Sequence, residues 1–324
     1  MFLKHNERSA CLWGGAAADV AHYPTEKPMT PIHIQFTRFS AFYSPLISTM
    51  SGGFLAAEGL KATHSIAPAG KSAIDALVDG TAQVVQSALS QGLTSLEKGE
   101  QPAAAHFAQI NEKDGFFITG REPDPDFRWD KLRGHEVLVD HGGQPLAMFK
   151  FACHKMGLDF AAVEALDVGN GSDMDAAFRG GEGDYIHQQG PAPQQLEHDG
   201  AGHIVAAVGD AIGPVGFSSL AATREWLATD MARAFMRAYR NARRYMNETP
   251  AAEIAAAEAS FFPNTDREVL ATTIAAYQAL GCWTAHVEIT PAAYEVTLDV
   301  FEHVGRLSKR HPYEAVCAAP PGDD

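Results

Sequence analysis

The sequence lacks a long apolar run, and basic residues are far fewer than acidic ones. No stretch approaches the roughly eighteen apolar residues that a membrane-spanning helix needs. The 25 lysines and arginines stand against 40 aspartates and glutamates, which gives a formal net charge of −15. This charge argues against nucleic acid or an anionic membrane surface as the partner. An anionic ligand is still compatible with it, because a pocket is governed by the few groups that line it.

Cysteine is scarce, and the usual patterns of metal and nucleotide sites are missing. The four cysteines are widely scattered and form no CxxC pair, so their spacing predicts no zinc site. The 14 histidines form no HxH or HExxH pattern, and there is no GxSxG, P-loop or GxGxxG sequence. We therefore expect neither a bound metal nor a cofactor.

The chain is long enough for two domains, and its composition is that of a globular protein. It has 324 residues, of which 46% are hydrophobic and 20% are charged. Residues 1–30 begin with basic residues, but the apolar part that follows is broken by two glycines and Asp19. This is not a convincing signal peptide, so we interpret residues 1–30 as a loosely ordered extension and leave the location open.

Residues 32–60 contain a strand, a polar and aromatic loop, and a helix. Apolar and polar residues alternate over 32–37, as in a strand. Ser44 is the expected cap of the helix, Pro45 its first residue and Gly59 its end. A helix that opens after a strand in this way can bind a ligand through its free N–H groups, although an ordinary strand–helix unit would have the same pattern.

Further strand–helix units follow and predict a parallel sheet with right-handed crossovers. We expect Ser90 to cap the helix after the third strand. In such sheets ligands bind beyond the carboxyl ends of the strands. Those ends fall at Ser40–Ser44, Ala69–Lys71, Ser87–Ser90 and Ile110–Asn111.

A second strand–helix series starts after a polar, proline-containing connection near residues 121–134, and helices fill the chain after residues 213–217. This order predicts an α/β protein with two lobes and a hinged cleft between them. The first lobe would comprise residues 31–118 plus 216–310, and the second lobe residues 119–215. Residues 311–324 would form a C-terminal tail whose end is frayed.

Three segments in order resemble one known family: FYSPLISTMSGGFLAAEGL, AIDALVDGTAQVVQSAL and FRWDKLRGHEVLVDHGGQPLAMFKFACHKMGLD. They are similar to the NMT1/THI5-like group of ABC-transporter substrate-binding proteins, which includes nitrate, sulfonate and pyrimidine-precursor binders. The resemblance implies the type II periplasmic binding protein fold, with each lobe a mainly parallel sheet flanked by helices. It also implies a periplasmic location and delivery of the ligand to an ABC transporter permease. The family usually has an acidic residue after the glycine of the second segment, where this chain has Gln83. The cysteine-rich motif of the fungal pyrimidine synthases is also missing, so the resemblance assigns no catalytic residue to this chain.

The positions of the strand ends and the resemblance together give a set of candidate ligand-binding residues. Aromatic rings and hydroxyls in the first loop would suit a planar polar ligand, and glycines in the loop after residue 140 would let the backbone approach it closely. Alternatively, the rings anchor the core, the glycines form a plain turn, and the remaining polar groups are caps or exposed side chains. The candidates are Ser40, Phe42, Tyr43, Ser44, Lys71, Ser87, Ser90, Asn111, His141, Gly142, Gly143, Gln144, Tyr185, His187 and Gln188.

The leading hypothesis is a non-enzymatic solute-binding protein for a sulfonate, nitrate, aromatic carboxylate or pyrimidine-like molecule. The first alternative is an enzyme on the same fold that resembles a pyrimidine synthase, a decarboxylase or a desulfinase, in which a histidine acts as acid or base. The second is a cytoplasmic ligand sensor that transmits closure to a partner protein. A functional signal peptide would favour the first hypothesis, turnover of a bound ligand the enzyme, and a ligand-dependent partner complex the sensor. The histidines that the enzyme hypothesis would use are His64, His106, His141 and His187.

Overall fold

The computed structural model describes residues 29–68 and 70–322. Nearly all of the predicted extension at residues 1–30 lies outside these residues, and so do the predicted strand end at Ala69 and the last two residues of the tail.

The strands of the described residues form two five-stranded sheets. The first contains β1 (Thr30–Phe36), β2 (Leu60–Ile66), β3 (Val84–Ser87), β4 (Ala105–Asn111) and β10 (Ser218–Ala222), in the order β2-β1-β3-β10-β4. The second contains β5 (Phe116–Gly120), β6 (Glu136–Val139), β7 (Glu164–Leu166), β8 (Tyr185–Gln189) and β9 (His203–Ala207), in the order β7-β6-β8-β5-β9. The chain therefore passes to the second sheet after β4 and returns to the first before β10.

Helices cover both sheets, so the predicted α/β class is confirmed. In the first half they are α1 (Ser44–Ser51), α2 (Phe54–Ala57), α3 (Ala73–Val78), α4 (Leu89–Glu97), α5 (Gly143–Lys155), α6 (Gly171–Arg179) and α7 (Ala192–His198). They continue as α8 (Val208–Ile212), α9 (Arg224–Leu227), α10 (Asp230–Glu248), α11 (Ala251–Glu258), α12 (Arg267–Leu280), α13 (Pro291–His303) and α14 (Tyr313–Val316). Within the described ranges, none of these helices has both the length and the apolar character needed to cross a membrane.

Each sheet is mixed, whereas the strand–helix pattern predicts a parallel first sheet. β1 pairs in parallel with β2 and with β3, as that pattern requires. The returning strand β10 inserts between β3 and β4 and runs antiparallel to both. In the second sheet, β5 likewise runs antiparallel between β8 and β9. The two strands that adjoin the crossings thus lie inside the sheets.

Two local predictions about helix starts are wrong. α1 begins at Ser44 itself, after a short 3-10 turn that Ser40 caps by accepting a hydrogen bond from the backbone N–H of Phe42 (3.1 Å). α4 begins at Leu89, so Ser90 lies inside the helix and does not cap it. The helix predicted to run to Gly59 is also divided, because Gly53 adopts a left-handed backbone conformation with φ of 71° between α1 and α2.

The C-terminal segment is packed against the first sheet, which corrects the expectation of a frayed end. Val316 and Cys317 are buried. The backbone N–H of Ala318 donates to the carbonyl of His106 at 2.9 Å, next to an isolated bridge between His106 and Cys317. The fold therefore extends to at least residue 318.

A buried carboxyl fixes α1, the helix that follows the loop at the end of β1. The hydroxyls of Ser44 and Ser48 donate to the two oxygens of Glu258, at 2.6 and 2.7 Å. Glu258 ends α11 and is fully buried. Burial raises its pKa to about 8, against the smaller lowering effect of the two hydroxyls. Ser44 therefore lies in the protein interior, where its hydroxyl is already hydrogen-bonded.

An aromatic side chain fills the joint between the sheets. Phe42 is buried against Phe217 and Tyr277, with ring centroids 5.4 and 4.9 Å away. It also covers Gly115, in the crossing from β4 to β5, so closely that a Cβ there would lie 2.2 Å from a Phe42 ring carbon. Glycine is required at this position for close packing.

We expect the free energy of unfolding of the wild type to fall as the pH rises from about 5 to about 8, relative to Glu258→Gln. The folded pKa of about 8 lies above the ordinary glutamate pKa of 4.5. The stabilisation is therefore fully present below about pH 4.5 and is lost as the pH rises through about 8, by at most about 1.4 kcal/mol per unit. Urea unfolding of both proteins at several pH values measures this difference, and a parallel pH dependence would contradict it.

We expect Gly115→Ala to destabilise the protein by about 1–3 kcal/mol, because the added methyl group overlaps the Phe42 ring. Gly171→Ala is the matched control, since a Cβ there meets no atom within 4 Å. Its stability should stay within about 0.5 kcal/mol of wild type. Thermal and urea unfolding compare the two variants, and equal stabilities would show that the joint is loosely packed.

Candidate functional site

A cavity of about 670 Å³ lies between the ends of the two sheets. The loop after β1, the end of β6, the start of α6, the segment from β8 into α7 and the residues before α12 enclose it. Its wall is therefore drawn from both sheets and from the C-terminal helices. The lining residues that matter most below are Arg38, Ser40, Asp140, Asn170, His187 and Gln188.

An ion pair joins the two sheets at this cavity. Nη1 of Arg38 lies 2.7 Å from Oδ2 of Asp140, and the other oxygen of Asp140 accepts a hydrogen bond from the backbone N–H of Gly142 at 2.8 Å. Burial alone would raise the pKa of Asp140, but the charge and hydrogen bond of Arg38 lower it overall. Asp140 is thus an ionised group on the cavity wall.

A buried glutamine holds the backbone on the Arg38 side of this pair. The side-chain oxygen of Gln86 accepts from the backbone N–H groups of Thr37 and Arg38, at 2.9 and 3.2 Å. Sequence reasoning did not single out Gln86, Arg38 or Asp140. The available signals were a polar residue in the short apolar strand VVQS and charged residues directly beside two strand ends.

Two predicted residues at the end of β8 line the cavity and have polar side-chain atoms that are unpaired in the described part of the chain. His187 is fully buried between the rings of Phe116 and Phe149, whose centroids lie 4.6 and 4.8 Å from its own. Burial lowers the pKa of His187 to about 3, so the ring is neutral at physiological pH. Gln188 is only 4% exposed. In the described part of the chain, neither ring nitrogen of His187 and neither polar atom of the Gln188 amide has a hydrogen-bond partner.

The first loop is divided between the cavity and the interior. Ser40 lines the cavity, and its hydroxyl donates to the carbonyl of Gly190 at 2.6 Å, which connects the two sheets. Phe42 and Ser44 point into the interior, as described above. Tyr43 is buried too, with Nε2 of Gln189 at 3.5 Å from its hydroxyl oxygen. Of the four candidates in this loop, Ser40 is the one on the cavity wall.

The glycine loop after β6 is occupied with contacts of its own. Nδ1 of His141 donates to the carbonyl of Val139 at 2.7 Å, and the carbonyl of Gly143 accepts from Arg306 at 2.8 Å. The side-chain amide of Gln144 donates to the carbonyl of Phe217, in the returning crossing. These contacts fasten the start of α5 to the rest of the protein and put Asp140, rather than the predicted loop residues, on the wall.

The remaining candidates do not line this cavity. Asn111 is buried and accepts a hydrogen bond from the indole N–H of Trp283 at 2.8 Å. Ser87 is buried at the end of β3, and Lys71 is exposed. Tyr185 lies at the start of β8 against His135, and Ser90 lies in α4.

The four histidines of the enzyme hypothesis do not converge. His187 lies on the cavity wall, and His141 lies in the adjoining glycine loop. His64 lies on the edge strand β2 and stacks on Phe39 at 5.5 Å, whereas His106 is buried at the other end of β4 and bonded to Ser219. Over residues 29–68 and 70–322, no three His, Cys, Asp or Glu side chains are grouped so that they could hold a metal ion.

Comparison with known proteins supports the architecture. A Bacillus subtilis (strain 168) protein named "Putative binding protein YtlA" is 26% identical over 295 residues, which cover 89% of this chain and 87% of that protein. The zinc-bound ligand binding component of an ABC-type import system from Staphylococcus aureus has a TM-score of 0.71 at 16% identity, covering 90% of this chain and 97% of that one. The periplasmic aliphatic sulphonate binding protein SsuA from Escherichia coli has a TM-score of 0.68 at 17% identity, covering 91% and 94%.

These solved structures share the two-sheet architecture, which confirms the predicted periplasmic binding protein fold. The family model described as NMT1/THI5 like matches residues 42–253, which is well over half of the chain and contains all three segments on which the sequence resemblance rests. The chain therefore belongs to the NMT1/THI5-like family.

Proposed function

We propose that this protein is a solute-binding protein that captures a small organic molecule in the cavity between its two sheets. The observation that carries the proposal is the pair His187 and Gln188, which are buried and lie on the cavity wall, and whose polar side-chain atoms have no hydrogen-bond partner among the described residues. Most buried polar groups in folded proteins are hydrogen-bonded, because each unpaired group costs about 1–3 kcal/mol. A bound molecule would supply the missing partners.

The size and walls of the cavity support the same function. Its volume of about 670 Å³ falls within the usual range for small-molecule sites. Most of the lining side chains are polar or charged, and Phe39 and Met174 are the large apolar ones among them. This mixture suits an organic molecule, with apolar contacts for its body and hydrogen bonds that fix its orientation.

Closure of the two lobes around the ligand is part of the proposal. The predicted lobes, 31–118 plus 216–310 and 119–215, meet near the cavity through individual polar contacts, such as Arg38 with Asp140 and Ser40 with Gly190. A ligand that contacts both lobes would favour the closed arrangement over an open one, because it binds the closed arrangement more strongly.

The relatives indicate the transport role and a range of ligands to test. Two of them are named as a component of an ABC-type import system and as a sulphonate binding protein. For this chain we propose delivery of a small molecule to an ABC transporter permease. The ligand classes to be tested are sulfonate, nitrate, aromatic carboxylate and pyrimidine-like molecules.

The geometry gives less support to an enzyme. His187 is the one histidine of the four suggested for catalysis that lines the cavity in the described part of the chain. With a pKa of about 3 it is a weak base at neutral pH, far from the value that suits general acid–base catalysis. A ligand recovered unchanged after binding would agree with the transport role, and a ligand that is consumed would contradict it.

We expect Gln188→Ala to weaken ligand binding at least about tenfold while leaving the unliganded protein folded. The Gln188 amide makes no hydrogen bond in the described structure, so its removal should change the free energy of unfolding by no more than about 1 kcal/mol. A thermal-shift screen over the ligand classes above identifies a hit, since a ligand at about 100 times its dissociation constant adds roughly 2.7 kcal/mol. Calorimetry then gives the affinities of the wild type and the variant.

Gln101→Ala is the matched control, because Gln101 is exposed and does not line the cavity. It should bind the hit as the wild type does. Equal affinity for the hit in the wild type and Gln188→Ala would place the ligand elsewhere and overturn the cavity assignment. A large loss of stability in unliganded Gln188→Ala would show that the residue has a structural role instead.

A further inference from the structure

We propose that the cavity selects an uncharged ligand with an amide-type edge, one N–H donor beside one acceptor, and that Asp140 disfavours free oxyanions. This inference rests on the proposed function and narrows its ligand to one chemical class. Cyclic amides and cyclic ureas belong to that class, whereas nitrate, sulfonates and carboxylates do not. Three features of the wall carry the inference: its charge balance, the capping of the N-terminus of α6, and the chemistry of its unpaired atoms.

The charge balance of the wall is unfavourable to an anion. Among the described residues that line the cavity, Arg38 carries the one permanently cationic side chain, and Asp140 and Asp175 carry two carboxylates. The cation is already paired with Asp140 at 2.7 Å. An oxyanion that approached Arg38 would have to displace Asp140 or accept a carboxylate as its neighbour, and like charges at such distances repel.

Helices α6 and α7 both begin at the cavity: in the described structure α7 has no side-chain cap, but α6, the longer one, is already capped from within. Asn170 accepts hydrogen bonds from the backbone N–H groups of Ser172 and Asp173, at 2.8 and 3.3 Å. Asp173 in turn accepts from the backbone N–H of Asn170 at 3.1 Å, which completes a capping box at the start of α6. These contacts use the N–H groups of Ser172 and Asp173, and the carboxylate of Asp173 offsets the helix dipole. The N-terminus of α6 therefore has little left to attract an oxyanion.

The polar side-chain atoms of wall residues that lack a partner in residues 29–68 and 70–322 are uncharged and include both donors and acceptors. The amide of Gln188 has an unpaired nitrogen and an unpaired oxygen, and the neutral ring of His187 has one donor and one acceptor. The side-chain oxygen of Gln189, also on the wall, is an additional unpaired acceptor. An amide-type edge can pair with a donor and an acceptor at once. An oxyanion only accepts hydrogen bonds, so it would leave the oxygens of the wall unpaired at a cost in binding free energy.

The test compares the wild type, Asp140→Asn and the double variant Arg38→Gln/Asp140→Asn in calorimetry and thermal-shift titrations. The uncharged probes are 2-pyridone, uracil and hydantoin, and the oxyanion probes are nitrate, methanesulfonate and benzoate. We expect the wild type to bind at least one uncharged probe at least ten times more tightly than any oxyanion. Asp140→Asn should gain at least tenfold in oxyanion affinity, because it leaves Arg38 unpaired, and the double variant should lose that gain.

Asp130→Asn is the matched control, because Asp130 is also paired with an arginine, Arg128, but does not line the cavity. It should leave every affinity unchanged, and circular dichroism should show that all variants are folded. Oxyanion binding by the wild type that is tighter than its binding of every uncharged probe would overturn this inference alone. The same holds for an Asp140→Asn variant without a gain in oxyanion affinity. If no probe binds to any of the proteins, both this inference and the proposed function fail.

Discussion

The ion pair between Arg38 and Asp140 connects the ends of β1 and β6 at the cavity, and other features of the site are arranged around it. Gln86 holds the backbone of Arg38, and Gly142 donates to the second oxygen of Asp140. The side chain of Arg38 is 44% exposed, so solvent screens the pair and its contribution to stability is at most about 1 kcal/mol. An ion pair of this strength can break and form again easily, yet its two charges determine the electrostatic environment of a bound ligand.

The other contacts between the sheets differ in character with their distance from the cavity. At the joint, Phe42 is packed without space against Gly115, and the hydroxyl of Tyr277 donates to the carbonyl of Gly115 at 3.1 Å. The same hydroxyl accepts from the backbone N–H of Gly190 at 2.8 Å, while Ser40 donates to the carbonyl of Gly190. Buried aromatic packing resists separation, whereas isolated hydrogen bonds at the cavity can exchange with water. The lobe closure that we propose would therefore take place at the cavity edge, about the packed joint.

The sequence predicted the fold better than it predicted the site, for physical reasons. Strand–helix periodicity and capping are local, so the strands and most helices could be located, and the resemblance supplied the architecture. The antiparallel insertion of β10 depends on pairing with strands far away in the chain, which periodicity does not show. Ser40, His187 and Gln188 were found because they stand at strand ends. The sequence does not determine whether the rings of Phe42 and Tyr43 face the cavity or the core. The close packing against Gly115 shows that Phe42 lies in the interior.

The ion pair and the unpaired polar atoms of the cavity select a ligand through different physical effects, so their contributions can be measured separately. The ion pair acts through charge, and salt weakens its effect on a ligand. The unpaired atoms of His187 and Gln188 act through desolvation, which salt barely changes, since a ligand without complementary groups leaves them buried and unpaired. His187 also stays neutral over the physiological range because its pKa is about 3. Discrimination by shape and hydrogen bonding should therefore be nearly independent of pH and salt, while the discrimination against oxyanions that we assign to Asp140 should weaken as salt is added.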